Sequence, residues 1–145
     1  MNYLRLIIMG LIFGGLSGTA LAQDTIGELL AAGGKQLSKD EVLATLRGAS
    51  VNGPLAAGGE SQIDWKENGS LSGYIVNAVG RRGSIFGTWM VDDTGKVCRD
   101  ITIRFYESAQ VKDCFPIYRL ADQIYFPATS SADPSARVLK RTIKR

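Results

Sequence analysis

The chain predicts a single α+β domain: an N-terminal helix, then an antiparallel meander of about six strands that forms a curled sheet or small open barrel. Three observations carry this reading. Ser38-Lys39-Asp40-Glu41 is a capping box that starts a helix. From Ile63 onward the apolar residues recur with period two rather than with helical spacing. Between the alternating runs stand turn sequences, Asn68-Gly69 and Asp92-Asp93-Thr94-Gly95. The length of 145 residues suits one domain, and 45% apolar with 21% charged residues is ordinary globular composition.

Residues 1–22 are set aside before fold reasoning. Arg5 is their single charge, an apolar run follows from Leu6 to Leu16, and Ala20-Leu21-Ala22 closes the segment. A positive start, an apolar stretch of about 7–15 residues and an A-x-A end describe a cleavable secretory signal. Gly14, Gly15, Ser17 and Gly18 interrupt the run well short of the ~20 apolar residues that a membrane span requires. Cleavage is expected after Ala22, delivering a periplasmic protein with no transmembrane span. Export gives Cys98 and Cys114 a default, since an even pair in an oxidising compartment forms a disulfide. Closing a loop of about 15 residues contributes on the order of 3 kcal/mol.

The helix is expected over residues 39–47. Leu37 and Val42 form its hydrophobic staple, Val42, Leu43 and Leu46 share one face, and Gly48 supplies the stop. A shorter helical turn fits residues 26–32. Ile63 and Trp65 then alternate into the turn 66–69, and Leu71, Gly73 and Ile75 run back. Residues 84–91 and 96–106 make the next hairpin, with Ile101, Ile103 and Phe105 on one face and Asp100, Thr102 and Arg104 on the other. Strands are also expected over 111–120 and 123–128. Trp65, Phe86, Trp89, Ile101, Ile103 and Phe105 are the candidate core. Residues 23–136 form the domain, and residues 137–145 are a basic segment, either an edge strand or a tail.

The feature order resembles a group of small exported proteins of Gram-negative bacteria, classed as a domain of unknown function. The carrying residues are Leu37-Ser38, Leu46-Arg47-Gly48, Trp65 to Gly69 with Gly73, Gly87-Thr88-Trp89, and Asp93-Thr94-Gly95 leading to Cys98 with Cys114 beyond. The resemblance implies a periplasmic β-rich domain with one disulfide and no established activity. At the C-terminus the chain departs from that pattern, with Arg137, Lys140, Arg141, Lys144 and Arg145 where a neutral strand is usual.

The absence of histidine removes the commonest general base, the commonest metal ligand and every Ser/His or Cys/His pair. No catalytic group, metal or cofactor is expected. Asp93-Thr94-Gly95 matches an aspartic-protease turn, but Asp92 and Lys96 stand where apolar and small residues belong, and turn chemistry explains the motif. Asp64, Glu67, Asp92, Asp93 and Asp100 offer carboxylates for a hydrolase, with no spacing that pairs them. Binding is the better expectation. Arg81 and Arg82, between Gly80 and Gly83 at a hairpin tip, can grip phosphate or carboxylate. Tyr74, Tyr106, Tyr118 and Tyr125 are candidate exposed aromatics. Residues 23–136 carry eleven basic and fourteen acidic side chains, so Arg137, Lys140, Arg141 and their neighbours reverse the sign of the exported chain. Such asymmetry fits an arm for anionic surfaces, and also an edge strand guarded by lysines.

These features predict a non-catalytic periplasmic domain that binds an anionic envelope component or an envelope protein. The alternative is an inhibitor or accessory subunit of an envelope enzyme, using the loop 80–83. A carboxylate-based hydrolase is the remote third. Nucleic acid is not an expected partner.

Overall fold

The computed structural model describes residues 24–145, and the export segment expected over residues 1–22 lies outside them. The chain is mostly β. Helices α1 (Ile26–Ala31) and α2 (Lys39–Leu46) are short. The strands are β1 (Lys35–Gln36), β2 (Ala49–Pro54), β3 (Gly59–Trp65), β4 (Ser70–Asn77), β5 (Arg82–Val91), β6 (Val97–Arg104), β7 (Ser108–Phe115), β8 (Tyr118–Leu120), β9 (Gln123–Pro127) and β10 (Val138–Lys144). They form one antiparallel sheet in the order β1-β8-β9-β10-β2-β3-β4-β5-β6-β7, curled into a half-barrel. The expectation of about six strands is therefore too low. Strand β2 escapes notice because Gly53 and Pro54 read as loop residues, and Pro116-Ile117 divides the expected run 111–120 into two strands.

Each helix begins at a side-chain cap. The Thr25 hydroxyl accepts from the Glu28 N–H, the Ser38 hydroxyl from the Glu41 N–H at 3.3 Å, and each glutamate carboxylate accepts in turn from the cap residue's own N–H. Val42 and Leu46 of α2, with Leu37 before it, enter the main core and close one end of the half-barrel. Ile26 and Leu29 of α1 pack with Tyr118 and Val138 in a second, smaller cluster. Ile124 and Phe126 belong to the main core while Tyr125 between them joins the smaller one, so α1 lies on the convex side of β8–β10.

The basic C-terminal segment is neither an edge strand nor a tail. Val138–Arg141 pairs with β9 and Thr142–Lys144 pairs with β2, so β10 joins the two halves of the sheet. Alternation along the strand reconciles its charges with this interior place. Lys140, Thr142 and Lys144 are exposed, while Leu139, Arg141 and Ile143 turn inward.

Curling is helped by two glycines at inward positions. A Cβ on Gly73 would sit 2.0 Å from the Gln62 carbonyl oxygen, and one on Gly87 would sit 2.1 Å from that of Asp100. The backbones approach too closely there for any side chain, which is how a sheet bends sharply. Trp65, Trp89 and Ile101 are buried as expected. Phe86 is not: it is 39% exposed, because the inward positions of β5 are Ile85, Gly87, Trp89 and Val91. Phe105 is only half-buried.

Candidate functional site

Antiparallel connections sort the loops into two groups. The turns 66–69 and 92–96 lie at the end closed by α2. The hairpin tips 55–58, 78–81 and 105–107, with the loop 128–137, gather at the other. At this second end the side chains do not fill the concave face, and a cavity of about 210 Å³ remains. Its walls are apolar, supplied chiefly by Ile63, Ile75, Ile85, Ile101, Ile103 and Leu139.

Three charged residues break that apolar lining: Arg99, Asp113 and Arg141. Each sits at the inward phase of a strand, between Val97 and Ile101, between Val111 and Phe115, and between Leu139 and Ile143 respectively. Arg99 and Asp113 are register partners across β6 and β7. The guanidinium donates through Nε to Oδ1 at 2.7 Å and through Nη2 to Oδ2 at 3.0 Å. The Ser130 hydroxyl, from the loop after β9, donates to Oδ2 at 2.9 Å. Burial pushes the Asp113 carboxyl up, but these bonds and the Arg99 charge outweigh it and hold the group below its usual value.

Arg141 has no such partner. Its Nη1 donates to the Pro54 carbonyl at 2.8 Å, its guanidinium stands 5.4 Å from the Phe126 ring, and its Nε is buried without an acceptor. Among the described residues no carboxylate pairs with it. Burial, with the Arg99 charge adding to it, lowers its pKa to about 10, which leaves it charged at neutral pH. The side chain lies across Gly53, where a Cβ would come within 2.6 Å of Nη1. The missing side chain on β2 is the space that the arginine occupies.

The residues expected to bind from sequence reasoning fall in different places. Tyr74 and Arg82 do meet, with the guanidinium 3.8 Å above the ring, on the convex face. Arg81 stacks on Tyr106 at 4.4 Å, and Arg104 lies 5.3 Å from Phe86. Tyr106 is 82% exposed, but Tyr118 is buried in the smaller core cluster and Tyr125 is half-buried against it. The C-terminal cations are not one arm. Lys140 faces solvent and Arg141 enters the cavity, while the exposed Arg137 bridges Thr25 through its backbone. Cys98 and Cys114 form the expected disulfide between directly paired positions of β6 and edge strand β7.

Of the carboxylates singled out in the sequence, Asp92, Asp93 and Asp100 serve a turn and outer pairs. One Asp92 carboxylate oxygen accepts from the Thr94 and Lys96 N–H groups, both at 2.9 Å, and from the Thr94 hydroxyl. Asp93 pairs with Lys39 at 2.7 Å, and Asp100 with Lys112 at 3.2 Å. Among the described residues no group of three His, Cys, Asp or Glu side chains could hold a metal ion, and no helix is long and apolar enough to cross a membrane. Fold and site together define a curled antiparallel half-barrel with a hollow, arginine-bearing concave face. No protein-family model, curated protein or solved structure matches this chain.

Proposed function

We propose that this chain is a non-catalytic binding domain of the bacterial envelope, exported to the periplasm, that takes a small ligand into the concave face of its half-barrel. The cavity carries the reading. A well-packed domain leaves few voids larger than a water, whereas here isoleucine walls surround about 210 Å³ open to one end. That volume lies below the ~300–1,000 Å³ of sites for drug-sized molecules, so the ligand is compact. The disulfide that fastens β7 to β6 suits an oxidising compartment.

A second reading, an inhibitor or accessory subunit for an envelope enzyme, draws support from the β4–β5 tip. There Val79 is 82% exposed beside Arg81 and Arg82. A native mass spectrum of non-reduced protein purified from its own periplasm separates the two. The cavity reading expects the chain with a retained small molecule. A bare chain that co-purifies with a stoichiometric enzyme partner would favour the second reading and count against the first.

A further inference from the structure

We infer that the concave cavity binds a compact monoanion, a carboxylate with a short apolar body, whose head sits against Arg141. The inference rests on the concave face being a ligand site and adds which chemistry fills it.

Arg141 presents an unused donor. Nη1 is taken by the Pro54 carbonyl, and Nε has no acceptor. Among the described residues Nη2 makes no hydrogen bond to the protein either. Nε is enclosed by protein, so Nη2 is the donor that a head group in the cavity can reach, with the full guanidinium charge behind it. The same cavity already holds one arginine–carboxylate pair, Arg99 with Asp113. A ligand carboxylate at Arg141 would pair charge with charge in the same way.

Charge sets the valence. Asp113 neutralises Arg99 within the lining, and Arg141 remains, among the described residues, a cation with no carboxylate partner in an apolar setting. Leaving a buried charge unpaired is costly, and a single negative charge removes the imbalance. A dianion would create the opposite one. Size limits the body. At roughly 30 Å³ per water the cavity holds about seven waters, or a chain of about as many methylene groups.

Octanoate and 1-octanol share that chain length and differ in the head, so calorimetric titration of the oxidised full domain with each is the test. Octanoate is expected to bind at least tenfold more tightly than 1-octanol. Arg141→Met is expected to erase that preference while retaining weak binding of both, and Arg141→Lys to keep part of it. Near-ultraviolet circular dichroism checks that the variants fold, and the wild-type comparison stands without them. Equal affinity for the two ligands in the wild type would overturn the anionic-head inference while leaving the cavity reading intact. Binding of neither would overturn both. A preference for octanoate that survives in Arg141→Met would also overturn the assignment to Arg141.

Discussion

Asp113→Ala is expected to destabilise the domain by about 3–5 kcal/mol, read as a fall in the denaturant midpoint at neutral pH. The carboxylate is 16% exposed and its partner Arg99 23%. Removal strands a largely buried guanidinium and leaves the Ser130 hydroxyl without its acceptor. The double change Arg99→Met with Asp113→Leu removes both charges and supplies apolar atoms of similar size, so it is expected to recover most of the loss. The pair also gives stability a pH dependence. The folded Asp113 carboxyl titrates below its unfolded value, so the stability it supplies is complete above the unfolded pKa near 4. That stability is lost as pH falls through the lower, folded pKa. In Asp113→Ala the melting temperature should fall less steeply below about pH 4. An unchanged acid slope would show that the pair contributes nothing measurable.

Trp65→Ala is expected to cost a further 3–5 kcal/mol or so on its own, enough to leave a domain of this size largely unfolded at 37 °C. Trp65 is 1% exposed and stands at the meeting point of the core. Its ring lies edge-on to Trp89 at 5.4 Å and to Phe126 at 6.4 Å, joining β3 to β5 and to β9 across the concave face. No neighbour can collapse into a gap that three strands line. Trp65→Phe keeps one ring and should cost less than half as much. Thermal unfolding of the oxidised proteins measures both, and a melting temperature for Trp65→Ala within a few degrees of wild type would contradict the packing described.

The meander was legible because its signals are local. Period-two alternation gives β5 and β6, Asn-Gly gives the turn between β3 and β4, and Asp-Thr-Gly gives the turn between β5 and β6. The position of β10 was not legible, since its partners β9 and β2 come from distant parts of the chain and pairing order leaves no local trace. Reading residues 137–145 as a charge total hid the alternation that sends Arg141 inward and Lys140 outward. The same oversight concealed Arg99 and Asp113. The signal for both is present in Val97-Cys98-Arg99-Asp100-Ile101 and Val111-Lys112-Asp113-Cys114-Phe115, where a charge takes the apolar phase of a strand. Tyr74 and Arg82, expected as separate binding residues, meet in the structure and lie on the convex face. Which face of a sheet holds a hollow depends on curvature, and curvature depends on Gly73 and Gly87 meeting backbone on neighbouring strands.

That division of faces makes methyl-resolved NMR the direct test of where a ligand sits. Ile63, Ile75, Ile85, Ile101 and Ile103 line the cavity, whereas Val79 and Met90 are exposed outside it. Titration with octanoate is expected to shift the five isoleucine methyls together, saturating with one equivalent, and to leave Val79 and Met90 unmoved. Shifts confined to Val79 and Met90, with the isoleucine methyls unchanged, would place binding outside the cavity and contradict the concave site.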